Sequence, residues 1–487
     1  MKDTNSLREI RIEKLASLQQ KGINPYPTKF NGISVKEARE KHVDEQVQIA
    51  GRLMAMRGHG KMSFGDLTDD SGKIQICFKF DVLGETQFGL LPLLDIGDFI
   101  GITGKLFMTV AGELTVLVES CTILAKTLRP LPSTWYGMKD TEDRYRKRYL
   151  DLIMNPEIKQ VFKNRSTIVK AVREFFDSRG FLEVETPTLQ PIYGGANARP
   201  FTTHHNALDF DLFLKISDEL YLKRLIVGGF EKVYEIDKDF RNEGMDKSHN
   251  PEFTMMECYW TYADYQDMMK ITESLYEYVA QKIYGTTEIE YQGTKINLKA
   301  PWRRITMHDA IKEYLKIDVT TLSDAELQEA IRSHHLEYKG EFVRGLAIAT
   351  LFEAVEEHLI QPTFVTDFPK ETTALCKQKP ENPELIERFE PYINGWEIGN
   401  GYSELNDPVT QKAFFEEQAK AKSQGDEEAH PMDTDFVESL EYGMPPTGGL
   451  GLGIDRMVML ITNQPTIRDV ILFPTMKPEE KTTYNTK

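Results

Sequence analysis

Three stretches of the chain combine charged, aromatic and glycine residues at spacings suited to holding a phosphate and an amine side by side. Along Tyr234-Glu-Ile-Asp-Lys-Asp-Phe-Arg-Asn-Glu243, a strand period of two sets Arg241 and Glu243 on one face, a guanidinium fork beside a carboxylate. After an exposed loop, Asn250-Pro-Glu-Phe-Thr-Met-Met-Glu-Cys-Tyr259 places Phe253, Met255, Glu257 and Tyr259 on a shared face. Burial of that face sinks a carboxylate among aromatic rings, which is costly without a cationic partner. An antiparallel pair of this kind could stack a purine on Phe253, grip a phosphate with Arg241 and hold an amine with Glu257. Ordinary salt bridges within a sheet satisfy the same spacing.

The second stretch, Glu390-Pro-Tyr-Ile-Asn-Gly-Trp-Glu-Ile-Gly-Asn-Gly-Tyr-Ser-Glu404, carries acids on a glycine-rich strand. Glu390 and Glu397 could hold Mg²⁺ through oxygen and water, with substrate phosphates completing the shell; a solvated acidic edge is the alternative. Asn400, Tyr402 and Glu404 point one way. Glu397 then points the other, unless Gly399 or Gly401 makes a bulge. In the third stretch, Gly448-Gly-Leu-Gly-Leu-Gly-Ile-Asp-Arg456-Met-Val-Met-Leu460, glycines allow close approach to a ligand and Arg456 falls in the first turn of a helix. Neither GxxxxGK[ST] nor GxGxxG in a βαβ setting occurs, so the chain has no phosphate-binding loop of either familiar kind.

The elements that must position these residues fit a chain of 487 residues, enough for about three domains. With 40% hydrophobic and 28% charged residues it is an ordinary soluble globular sequence. Its net charge of −17 excludes nucleic-acid binding by bulk attraction and leaves that task to a local basic or aromatic surface. Cys77, Cys121, Cys258 and Cys376 are too scattered for a zinc knuckle and too few for a disulfide framework, which points to a reducing compartment. The first eighteen residues read as a charged helix with Leu7, Ile10, Leu15 and Leu18 at helical spacing and no export or membrane signal; the expected location is cytoplasmic.

Residues 1–40 form an N-terminal helical extension. Between 41 and 128, five β-like runs (47–55, 61–67, 73–80, 98–107, 113–124) predict a five-stranded OB-type barrel. In Lys73-Ile-Gln-Ile-Cys-Phe-Lys-Phe80, Ile74, Ile76, Phe78 and Phe80 alternate with polar residues. Residues 129–150 read as a linker; its basic run, Arg144-Tyr-Arg-Lys-Arg148, is either a solvated helix face or a phosphate contact. The remaining 151–487 make one large catalytic domain with a helical insertion at about 320–360, so the fold class is α+β.

Taken in order, these stretches resemble a class II aminoacyl-tRNA synthetase of the aspartyl, asparaginyl and lysyl subclass, closest to the bacterial lysyl enzymes. Phe240-Arg-Asn-Glu243 with His249-Asn-Pro-Glu-Phe253 is similar to the second motif of the class and Gly451-Leu-Gly-Ile-Asp-Arg456 to the third. The segment Val161 to Phe181-Leu-Glu-Val-Glu-Thr-Pro187 resembles the first, which in the class forms a homodimer interface. Gly194-Gly-Ala-Asn-Ala-Arg-Pro200 and Leu220-Tyr-Leu-Lys-Arg224 fit between them.

The resemblance implies an antiparallel sheet flanked by helices. It also implies ATP-dependent activation of L-lysine with Mg²⁺ and transfer to tRNA(Lys), with no membrane partner. Arg241 and Arg456 would be the catalytic arginines, bridging the α-phosphate and holding the γ-phosphate. Phe253 and Glu243 would meet adenine, and His249 and Asn250 would lie by the nucleotide with Glu390 and Glu397 on the metal. Glu404 and Tyr259 would take the ε-ammonium beside Glu257 and Tyr402, Glu219 and Gly195 the α-amine, and Asn400 the carboxylate. Physically, a site selecting an ε-ammonium buries acids and hydroxyls that an uncharged isostere leaves unpaired.

For the anticodon, Phe64 would stack a base, Gln75 and Glu113 would read its edge, and Arg57 would touch the backbone. Three departures, the 371–377 stretch, Cys258 and Trp396, bear on the pocket wall and the direction of Glu397. An Asp- or Asn-charging enzyme and a non-catalytic OB-bearing RNA-binding or scaffold protein remain the competing readings.

Overall fold

The structure is a computed structural model and describes residues 4–132, 138–423 and 431–479. It divides into two compact units, Met1–Lys139 and Asp140–Lys487. In the first, β1 (Gln46–His59), β2 (Met62–Thr68), β3 (Lys73–Lys79), β4 (Phe99–Met108) and β5 (Leu114–Ala125) close into a barrel of order β1-β2-β3-β5-β4. Closure leaves no free edge, and Leu53, Leu67, Ile74, Ile76, Ile102 and Val116 fill the interior. The expected alternation along β3 is interrupted. Cys77 is buried as well as Ile76 and Phe78, and Phe80 leaves the strand to open the helix Phe80–Phe88.

The N-terminal helix α1 (Thr4–Gln20) buries Leu18 and half-buries Leu7 and Leu15 as their spacing predicts, with Ile10 the exception. Ile10 is exposed, whereas Leu18 and Arg11 are buried. Arg11 donates to Thr127 Oγ1 at 2.9 Å and to the Arg129 carbonyl at 3.1 Å, so chain carbonyls and a hydroxyl at the barrel's end draw the arginine inward.

The second unit is built on a ten-stranded sheet. Its strands are β6 (Leu182–Glu183), β7 (Lys232–Phe240), β8 (Glu252–Thr261), β9 (Arg303–Thr306), β10 (Thr363–Pro369), β11 (Gln378–Lys379), β12 (Asn382–Ile393), β13 (Trp396–Glu397), β14 (Gly399–Ser403) and β15 (Thr447–Gly453). The order is β9-β10-β12-β14-β15-β8-β7-β6, with β11 and β13 attached to β12. The expected antiparallel pairing holds through the centre, while the outer pairs β9–β10 and β6–β7 are parallel. On one face, Tyr234, Met256, Cys258, Leu450 and Leu452 pack against α2 (Ile158–Asp177) and α4 (Tyr265–Tyr284). On the other, Val233, Tyr259, Val365 and Tyr402 meet α3 (Glu219–Val227) and the helix Arg344–Glu356, which with Asp324–Ser333 makes up the helical insertion.

The linker expectation needs correction. Residues 133–137 lie outside the described residues, but 140–150 belong to the second unit as the helices Thr141–Arg146 and Arg148–Met154. Arg148 is fully buried, 2.6 Å from Asp151 Oδ2, and donates to the carbonyls of Arg468 and Leu472. Its basic run is therefore neither wholly solvated nor free for phosphate, because a helical offset of three brings Asp151 under Arg148.

Candidate active site

Over the second face of the sheet lies a cavity of about 410 Å³, and every residue singled out in the catalytic region lines it. Its deep end is acidic. Glu219 opens α3, Glu257 points up from β8 and Glu404 follows β14; all three are buried. Buried Lys223 Nζ sits between Glu219 and Glu404, in contact with both. Glu404 thus already has an internal ammonium beside it, which the sequence reading did not include; helical spacing brings Lys223 to Glu219, and the packing of α3 brings it to Glu404. Tyr402 donates its hydroxyl to Glu219, 2.8 and 2.7 Å from the two oxygens.

Glu257 has a different environment. It accepts from Ser217 Oγ (2.8 Å), the Asp218 N–H (3.2 Å) and Tyr259 OH (3.0 Å), and forms no ion pair among the described residues. Burial, with the Asp218 and Glu219 charges behind it, pushes its carboxyl up to about 8. Burial also lifts Glu404 well above the carboxylate range, against the pull of Lys223. Three carboxyls share one ammonium here, so the cavity keeps an unmet demand for positive charge. Glycine makes the floor: a Cβ on Gly449 would land on Glu404 and 2.7 Å from the Tyr259 ring. Gly195, at φ +90, turns its backbone against Ser217 and Glu219 at the side.

The mouth is cationic. Strand β7 ends at Phe240, so Arg241 and Glu243 lie in the following loop rather than on the expected strand face. The Arg241 N–H still bonds the Pro251 carbonyl at 2.9 Å, which keeps its side chain over the Phe253 ring, 5.1 Å from the centroid. Arg456, in the first turn of α5 (Ile454–Ile461), donates to the Glu397 carbonyl and lies 3.3 Å from His249 Nε2. His249 Nδ1 is 2.8 Å from Asp246 Oδ2. Asn250 lines the cavity, yet both ends of its amide are engaged by backbone, at Glu252 and Thr475.

Glu397 faces the cavity together with Asn400 and Tyr402. Tyr392 pairs with Glu397 while Arg388 pairs with Tyr402, so four steps on β12 span five from β13 to β14. The extra residue is a bulge between Glu397 and Gly401, in the stretch that holds Gly399. Glu390 accepts from Arg388 Nη2 at 2.5 Å, and its Oε2 is 2.7 Å from Tyr392 OH, which also lies 3.2 Å from Glu356 Oε1. Burial pushes the Glu356 carboxyl up to about 7, and the Tyr392 hydroxyl stands between the two acids.

Sequence reasoning passed over Arg388, Lys223, Glu356 and Tyr392. Arg388 and Lys223 had signals: strand alternation with Glu390 for the first, the offset of four from Glu219 for the second. Arg388 Nε bonds Asn400 Oδ1 at 2.9 Å, tying Asn400 to Glu390 through one guanidinium. Of the departures, Cys258 is in the core on the opposite face and Trp396 packs edge-on against Tyr291 at 5.1 Å. Thr372, Thr373 and Leu375 do line the cavity.

On the barrel, Arg57 pairs directly with Phe64 across β1–β2, and Gln75 pairs with Asp66 across β2–β3 and with Thr115 across β3–β5. Alternation thereby sets Arg57, Phe64, Asp66 and Gln75 on one face. Thr115 Oγ1 donates to Gln75 at 3.0 Å, Arg57 lies 3.5 Å from Asp66, and exposed Glu113 sits at the edge of β5.

Residues 140–477 match the family described as tRNA synthetases class II (D, K and N), and residues 47–124 match the OB-fold nucleic acid binding domain. The chain belongs to the class II aminoacyl-tRNA synthetases of that group. Within the group, it is 54% identical over 484 residues to the lysine--tRNA ligase of Thermoanaerobacter sp. strain X514, covering 98% of this chain and 97% of that one. It is 53% identical over 483 residues to the lysine--tRNA ligase of Moorella thermoacetica, covering 98% and 99%.

Proposed function

We infer that the chain joins L-lysine to tRNA(Lys) in two steps. A lysine carboxylate oxygen attacks the α-phosphorus of ATP and expels pyrophosphate; the terminal ribose hydroxyl of the tRNA then attacks the adenylate carbonyl and AMP leaves. The observation that carries this reading is the charge imbalance at the deep end: Glu219 and Glu404 share Lys223, and Glu257 has no ion pair among the described residues. A guest bearing an ammonium completes the balance, and an uncharged isostere leaves acids unpaired at a cost of several kcal/mol, about 10⁴-fold in discrimination. An aspartate guest would need a free cation there, and Lys223 is sealed between two glutamates.

In this reading Glu257, Glu404, Tyr259 and Tyr402 surround the lysine side chain, Glu219 and the Gly195 backbone take the α-amine, and Asn400, steadied by Arg388, meets the carboxylate. Arg241 bridges that carboxylate and the α-phosphate, with adenine on Phe253 against Glu243. Arg456, aligned by the Asp246–His249 pair, holds the γ-phosphate, and Asn250 keeps this loop in place. The reaction needs positioning and charge neutralisation and no protein nucleophile. Glu390 and Glu397 are an oxygen-only pair that fits Mg²⁺, which when bound neutralises phosphate charge. Arg57, Phe64, Gln75 and Glu113 offer a stacking and polar face for the anticodon.

Exposed Leu182 and Leu189 in the first-motif region suit a second copy of the chain. No described helix is long and apolar enough to cross a membrane, and a cytoplasmic setting agrees with four free cysteines. Amino-acid-dependent pyrophosphate exchange tests the assignment: lysine alone is expected to support it, and exchange driven by aspartate or asparagine overturns it. Sedimentation of the purified chain tests the dimer, which a monomeric mass overturns.

A further inference from the structure

Behind Glu257, Asp218 and Asp239 stand outside the cavity lining, and one carboxylate oxygen from each of the three lies within 4.8 Å of the others. All three residues are buried, Asp218 and Asp239 completely. They come from separate elements: Asp218 from the cap of α3, Asp239 from β7 and Glu257 from β8. The cations facing them are few. Lys215 Nζ is 2.6 Å from Asp218 but is shared with Glu235 at 3.2 Å and Asp237 at 2.9 Å. Arg241 is the other cation that acts on Asp239.

Three dry carboxylates at this separation cannot all be ionised, so the cluster holds a proton. Which acid keeps it follows from the donors each receives. Glu257 has three, from Ser217, the Asp218 N–H and Tyr259; the Asp218 oxygens accept no hydrogen bond among the described residues, but Asp218 is ion-paired with the Lys215 ammonium at 2.6 Å. Neither oxygen of Asp239 has a hydrogen-bond partner among the described residues. An anion without a donor is the costliest of the three, and a neutral acid there supplies its own O–H to the neighbouring pair.

We infer that Asp239 is a positioning residue that stands as a neutral carboxylic acid, donating to the Asp218–Glu257 pair and so lowering the cost of ionising Glu257 when the amino-acid ammonium arrives. Burial first, then the Asp218 and Glu257 charges, raise Asp239 well above the carboxylate range, in the required direction. The inference rests on reading the cavity as the amino-acid pocket. It adds a second layer to that pocket: a proton behind the acid that meets the substrate.

The full-length chain with Asp239→Asn, Asp239→Ala or Glu257→Gln, assayed by lysine-dependent pyrophosphate exchange, tests it. Asp239→Ala is expected to raise the lysine KM about fivefold or more with kcat within about twofold, and Asp239→Asn, a permanent neutral donor, to restore KM to within about twofold of the parent. As pH rises, kcat/KM for lysine in the parent should fall when Asp239 yields its proton, and that limb should be missing in Asp239→Asn. An infrared difference spectrum between the parent and Asp239→Asn at neutral pH should lose a carboxylic C=O band, a readout that stands even if Asp239→Ala does not fold. Loss of lysine affinity in Asp239→Asn equal to that in Asp239→Ala, or no lost band, overturns the inference. Normal lysine kinetics in Glu257→Gln would instead overturn the pocket reading, while an impaired Glu257→Gln beside normal Asp239 variants overturns this inference alone.

Discussion

At the scale of single residues, the deep acids decide the specificity. Glu404→Gln removes one negative charge from a buried cluster and leaves Lys223 with Glu219 alone. The lysine KM should rise at least tenfold, a penalty of about 2–4 kcal/mol, measured by pyrophosphate exchange on a variant shown to fold. Unchanged lysine kinetics would take Glu404 out of the pocket. Most of these residues were legible from type and spacing, because a carboxylate among Phe253, Met255 and Tyr259 is anomalous on its face. The partner of Glu404 was harder to see. Lys223 sits at a helical offset from Glu219, but only the packing of α3 against β14 carries that lysine to Glu404, some 180 residues away.

At the scale of elements, strand period two placed β8 and β14 correctly and failed where backbone departs from regularity. The bulge between Glu397 and Gly401 turns Glu397 into the cavity, and the end of β7 at Phe240 moves Arg241 onto a loop without losing its place over Phe253. Periodicity assumes unbroken pairing; Gly399 and Gly401 marked the first interruption as an alternative, and nothing in composition marked the second. The barrel carries the element-scale prediction. Phe64→Ala should weaken tRNA charging by about 1–3 kcal/mol, the worth of one stacked base, with adenylate formation unaffected. Equal losses in charging and in pyrophosphate exchange would show that the face bearing Arg57, Phe64 and Gln75 is not the anticodon surface.

At the scale of the whole molecule, buried acids couple folding to pH. The folded state pushes Glu257 up to about 8, Glu356 to about 7 and Asp218 to about 6, so it keeps protons that an unfolded chain has already released above about 4.5. More protons on the folded side mean that stability falls as pH rises through this window. The melting temperature of the substrate-free chain should drop between about pH 5 and about pH 8. Added lysine should protect most at the upper end, where its ammonium meets ionised Glu257. Scanning calorimetry across that range checks both, and a melting temperature that climbs toward pH 8 would contradict the buried cluster. By itself, the sequence determined which residue types do the chemistry and the succession of barrel and catalytic unit, since these follow from local pattern, while the demand for lysine came with the family resemblance. Only the tertiary structure decided how the acids are shared among Lys223, Lys215 and an incoming cation, because charge balance in a dry site depends on distances between distant parts of the chain.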